Sequence, residues 1–146
     1  MNIAVGKWGI PREYCTVQTT FPMLHELLQY ELYASERYRR YVSVIMVRSP
    51  VDHQGLKEVF GSHVRQSDAT ASFDHTIAIL MSETDQSDAL SAVDRFNSAL
   101  GIQFDARFAV ATYPSDESSA DALIGTAQRR LQKASNGCKG YVVYQD

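Results

Sequence analysis

Residues Val42-Ser43-Val44-Ile45-Met46-Val47 form a short run, almost wholly apolar, that Ser49-Pro50 closes. Rich in β-branched residues and too short for a helix, the run reads as a buried strand. A buried strand needs partners and cover, and the rest of the chain supplies both in a fixed order. Before it, Leu24, Leu28, Leu32 and Ser35 lie along one helical stripe with Leu27 beside them. Pro22 suits the first turn, and Glu36, Arg37, Arg39 and Arg40 make a charged last turn. After it, Leu56, Val59, Phe60 and Val64 have the spacing of a short amphipathic helix. Strands near Ala69–Phe73 and Ile77–Met81 follow, joined by a tight turn at Asp74-His75.

Ala89, Val93, Phe96 and Leu100 then mark a helix that stops at Gly101. Phe104 to Tyr113 reads as a strand ending at Pro114. Ser118 or Ser119 can cap a helix whose apolar face is Leu123, Ala127, Leu131 and Ala134, and Asn136-Gly137 closes it. Tyr141 to Tyr144 is a last strand. The order after the leading helix is β-α-β-β-α-β-α-β. It predicts helices on one face of a mainly antiparallel sheet, an α+β core of ferredoxin-like type.

With 146 residues the chain is one domain, long enough for a hydrophobic core. Residues 1–21 read as an amino-terminal arm and 22–146 as the domain proper. A net charge of −3 offers no footprint for nucleic acid or an anionic membrane. No apolar run is long enough to insert into a membrane, and the amino terminus lacks the order of a signal peptide. Cys15 and Cys138 lie far apart in no metal-binding or redox motif, so reduced thiols in a cytoplasmic protein are expected.

Residues 65–80, Arg-Gln-Ser-Asp-Ala-Thr-Ala-Ser-Phe-Asp-His-Thr-Ile-Ala-Ile-Leu, bear on function. They resemble the strand–turn–strand signature of the GGDEF family, the bacterial diguanylate cyclases. Arg65 and Asp68 match the family's Arg-x-x-Asp, Phe73 its aromatic position, and Ile77 to Leu80 the outgoing strand. Further on, Val110-Ala111-Thr112-Tyr113-Pro114 resembles the end of the family's Ser-Ile-Gly-Val-Ala strand. Ala127, Leu131 and Ala134 match small and apolar positions of its Ala-Asp-x-Ala-Leu-Tyr-x-Ala-Lys helix. The resemblance covers roughly residues 25–144 and implies a nucleotide-cyclase-type ferredoxin-like core.

The same resemblance implies that catalysis is lost. A cyclase needs two divalent ions held by hard carboxylates. The position of the family's first-strand Asp falls at Arg48. The signature turn shrinks to Asp74-His75-Thr76, with one carboxylate and no paired glycines. The segment between Arg48 and Arg65 is too short for the family's nucleotide-holding helix, and Ser135 stands where a phosphate-contacting Lys is expected. No catalytic residue, metal or cofactor is therefore assigned.

What is kept is Arg65-x-x-Asp68, which in the family is an inhibitory site for cyclic di-GMP. A guanidinium can fork onto phosphate or a guanine edge, and a carboxylate can accept guanine N–H donors. The bland reading is a surface ion pair. His53, His63 and His75 match no compact ligand motif. Arg37, Arg39 and Arg40, with Tyr30, Tyr33, Tyr38 and Tyr41 around them, read as a solvated helix end or a subunit contact. The sequence thus leads to an inactive GGDEF-like signalling domain that binds cyclic di-GMP through Arg65 and Asp68. The alternative is a nucleotide-independent interaction or dimerisation module, with a protein partner or a second copy.

Overall fold

A computed structural model describes residues 18–19, 21–49, 68–73, 75–100, 105–137 and 141–146. The elements are β1 (Gln18–Thr19), α1 (Phe21–Tyr38), β2 (Val42–Arg48), β3 (Ala69–Phe73), β4 (Thr76–Ser82), α2 (Gln86–Leu100), β5 (Arg107–Tyr113), α3 (Ala120–Ser135) and β6 (Val142–Val143). The helix read over Leu56 to Val64 lies outside the described residues.

The strands form one sheet in the order β1-β3-β4-β2-β5-β6. The pairs β3–β4, β4–β2 and β2–β5 are antiparallel; the outer pairs β1–β3 and β5–β6 are parallel. This is the ferredoxin-like α+β core expected, with β2 at its centre. Gln18 and Thr19, within the segment read as an arm, pair with Thr70 and Ala71 on the β3 edge.

The placement of the helices differs from the expectation: they cover both faces of the sheet, not one. Val42, Val44 and Met46 of β2 pack with Leu24, Leu28 and Leu32 of α1 and Leu123, Ala127 and Leu131 of α3. Ile45 and Val47, alternating with them, pack with Ala89, Ala92, Val93 and Phe96 of α2. The reason lies in β2 and β4, neither of which alternates: six of the seven residues of β2 and all seven of β4 are buried. A strand apolar on both sides must be covered on both sides. The parallel neighbours β5 and β6 require a crossover, and α3 provides it on the face opposite α2.

Local chemistry fixes the ends. Helix α1 stops because Arg39 takes a left-handed φ of 54° and the Arg40 N–H donates to the Ser35 carbonyl at 3.0 Å. This is a Schellman closure with arginine where glycine is usual. At the start of α3, the Ser119 Oγ accepts from the Ala122 N–H at 3.2 Å. Strand β5 starts at Arg107, later than the sequence suggested, and the last strand shortens to Val142–Val143. Inside the sheet, the Ser43 and Thr112 hydroxyls lie 2.9 Å apart, and Ser43 donates to the Thr84 carbonyl at 2.8 Å. These buried hydroxyls are satisfied by each other and by the carbonyl just past β4, as a core requires.

Candidate functional site

The carboxy-terminal end of β2 gathers three places singled out by the sequence: Arg48, the hairpin turn and Ser135. Antiparallel register sets Arg48 opposite Thr76 on β4 and opposite Arg107 on β5. The Arg48 Nε donates to the Thr76 Oγ1 at 3.5 Å, and its Nη1 to the Ser135 Oγ at 3.4 Å. Ser135 in turn donates to the Leu131 carbonyl at 2.9 Å, which turns its lone pairs toward the arginine. The Ser49 N–H reaches the His75 carbonyl at 3.3 Å and ties the hairpin turn to the same end of β2. Arg48, His75, Thr76 and Ser135 are scattered in sequence and adjacent in space.

Both bonds from Arg48 are long, and both end on hydroxyls. No carboxylate among the described residues pairs with it. Its neighbour Arg107 is neutralised: it donates to the Asp105 carboxylate, to the Asp105 carbonyl at 3.0 Å and to the Gly137 carbonyl at 3.1 Å. Beside Arg48 opens a cleft of about 320 Å³ lined by Met46, Arg48, Thr76, Gln128, Leu131 and Gln132. Met46 and Leu131 give the lining its apolar part, and its polar groups are two amides, a hydroxyl and a guanidinium with no carboxylate partner among the described residues. Such a lining suits an anionic or hydrogen-bonding group.

The lining does not suit the divalent ions that a cyclase fold implies. Magnesium demands oxygen ligands, above all carboxylates, and this cleft presents a cation instead. No cluster of three or more His, Cys, Asp or Glu able to hold a metal occurs among the described residues. At the turn, His75 adopts a left-handed φ of 60°, so the hairpin keeps a glycine-like bend without a glycine.

Of the two residues assigned to ligand binding, Arg65 lies outside the described residues. Asp68 stands immediately before β3, fully buried and already engaged in an interaction. His53, His63, Asp74, Cys15 and Cys138 also lie outside the described residues. His75 is exposed on its turn. At the end of α1, Arg40 pairs with Glu83 at 2.8 Å, and both Arg37 and Arg40 lie over the Tyr38 ring. Tyr30, Tyr33, Tyr38 and Tyr41 are all exposed.

One charged cluster escaped the sequence reading. Arg130 is only 4% exposed and donates in a fork to Asp116, at 3.0 and 3.1 Å, and to the Val110 carbonyl at 2.8 Å. Its Nε reaches Asp146 at 3.3 Å, and Arg129 holds both oxygens of Asp146 at 2.9 Å. Burial alone would lower the Arg130 pKa, but the hydrogen bonds it donates to Asp116 and Asp146 outweigh that and raise the pKa. Hydrogen bonds from Arg129 and then Arg130 hold the Asp146 carboxyl below its ordinary range. The signal was present: residue 130 falls on the buried face of α3, next to Leu131 and in step with Leu123, Ala127 and Ala134. The network is structural, a clamp of α3 on β5 and the carboxy-terminal residues.

No protein-family model matches the sequence, and no curated protein matches it. Solved structures do match in fold. The chain is similar to the GGDEF domain of YfiN (TpbB) from Pseudomonas aeruginosa, with 16% identity and a TM-score of 0.81 over 90% of this chain and 98% of that one. It is similar to the diguanylate cyclase SiaD from Pseudomonas aeruginosa, solved in complex with its activator SiaC. There the identity is 15% and the TM-score 0.74, over 90% of this chain and 60% of that one. The coiled coil and GGDEF domain of DgcB from Caulobacter crescentus, in complex with c-di-GMP, is 11% identical. Its TM-score is 0.70, over 90% of this chain and 83% of that one. The chain has the fold of the GGDEF domains of diguanylate cyclases.

Proposed function

We propose that this domain, built on the GGDEF fold, is a catalytically inactive signalling domain of the cyclic di-GMP system that works by contact with protein. The observation that carries the reading is Arg48. It occupies the end of the central strand, where the family resemblance requires a metal-holding aspartate, and its nearest partners are hydroxyls. A guanidinium there opposes a divalent ion by about 4 kcal/mol per unit charge at roughly 4 Å and an effective dielectric constant of about 20. Without the ions, the triphosphate keeps its charge and the attacking hydroxyl its proton.

A second reading keeps cyclic di-GMP as a ligand of Arg65 and Asp68. It is supported by the position of that pair directly before β3 and by the c-di-GMP bound in the DgcB structure. The burial of Asp68 favours contact with protein, since the carboxylate would have to leave its enclosed place to accept guanine N–H groups. SiaD, of which this chain covers 60%, was solved in complex with its activator SiaC, a precedent for a protein partner of a protein that contains this fold.

Two measurements test these readings. Incubation with GTP or ATP and magnesium should release no cyclic product, and detectable turnover would sink the inactive reading. Calorimetric titration with cyclic di-GMP should give no heat of binding. Micromolar binding that Arg65→Ala abolishes would replace the contact reading with the receptor.

A further inference from the structure

Helix α1 commits one side to the core and leaves the other exposed among the described residues. Leu24, Leu28, Leu32 and Ser35 are buried. At 100° per residue, Glu26, Tyr30, Tyr33 and Arg37 fall on the opposite side. Tyr30 is 62% exposed and Tyr33 77%, with Met23 at 46% one turn before Glu26. The spacing of these four positions, four, three and four residues apart, is that of the seam between two packed helices. Tyrosine and arginine are also the residues that carry binding energy in protein contacts.

The charges define the partner. Among the described residues Glu26 makes no ion pair, and Arg37 meets only the Tyr38 ring, at 5.7 Å. Residues 26 and 37 are equidistant from the point midway between residues 31 and 32, and so are 30 and 33. A twofold axis through that point sets Glu26 against Arg37 of a second copy, and Tyr30 against its Tyr33. Each contact occurs twice, as a self-complementary twofold interface requires. Parallel pairing would set Glu26 on Glu26 and Arg37 on Arg37. From this register we infer that the outward face of α1 binds a second copy of this chain in antiparallel orientation. The two tyrosine pairs stack at the centre and the two Glu–Arg pairs close the ends.

The inference rests on the contact reading of function and specifies its surface. The test is sedimentation velocity of the full chain over a concentration series. The wild type forms a reversible dimer. Tyr33→Glu, placed at the dry centre, weakens it at least about tenfold. Glu26→Arg alone and Arg37→Glu alone each sediment as monomers, because each sets like charges against one another. Mixed in equal amounts, these two variants recover the dimer, since all four charges are then paired across the axis. Circular dichroism of each variant verifies the fold.

A wild type that stays monomeric at every concentration overturns the inference, as does a dimer that ignores the substitutions or a mixture that stays monomeric. None of these results bears on catalytic inactivity. Turnover of GTP would overturn that reading and leave the dimer standing.

Discussion

Arg48, half-buried, and Arg130, buried, show what a carboxylate partner does for a guanidinium. Arg130 faces a carboxylate that is itself held by the Thr112 N–H at 2.8 Å, so the pair is built into the turn after β5. Removing one member of such a pair strands the other in a poorly hydrated place. Arg130→Ala should therefore lower the unfolding free energy in urea by about 3 kcal/mol. Arg130→Lys should recover only part of the loss, because an ammonium cannot fork onto both carboxylate oxygens. Arg48 donates only two long bonds to hydroxyls, and Arg48→Ala should cost less than about 1 kcal/mol. Equal losses at the two sites would contradict the assignment of Arg130 to the scaffold and Arg48 to the cleft.

Among the elements, the helix ends and the sheet show where the sequence was legible. The strands and helices were legible because each carries its own period or a continuous apolar run, as in Val42–Val47 and Leu123–Ala134. Covering both faces was equally written in the nearly continuous apolar runs of β2 and β4, but the ferredoxin-like pattern suggested one face. Arg48, the turn at His75 and Ser135 each stood out against the family signature; their meeting was not legible, since it depends on the antiparallel register of β2 with β4 and on the packing of α3. Arg130 went unread because a charge on an apolar face looks like an exception until its partners, 14 and 16 residues away, come into view.

The end of α1 was placed near Arg40, because nothing in Tyr-Arg-Arg-Tyr announces a left-handed residue. Since an L-residue pays about 1 kcal/mol in that conformation, Arg39→Gly should stabilise the domain by about that amount in thermal or urea unfolding. An unchanged or lowered stability would mean that the Arg39 side chain makes a contact worth as much as the strain.

At the scale of the whole molecule, stability against pH should fall at both extremes for separate reasons. The Asp146 carboxyl, held down by Arg129 and Arg130, has a folded pKa below its ordinary 3.8. Its contribution is therefore complete above 3.8 and is lost as pH drops through the lower folded value. Tyr113 behaves in the opposite sense. Burial, with the Glu36 charge as a smaller cause, raises its pKa above 10.0. Its neutral form is favoured in the folded state, so the contribution is complete below 10.0 and is lost as pH climbs through the raised value. Thermal unfolding from acid to alkaline pH separates the two. Asp146→Asn should lie below the wild type at neutral pH and converge with it in acid. Tyr113→Phe, which cannot ionise, should gain on the wild type only above pH 10. The acid end also tests the architecture. Asp146 reaches α3 through Arg129 and Arg130, and Arg130 reaches β5 through Asp116 and the Val110 carbonyl. If the clamp joins these parts, Asp146→Asn moves a single cooperative transition. If it holds the carboxy-terminal residues alone, the main transition stays put while Tyr144 becomes accessible to solvent quenchers.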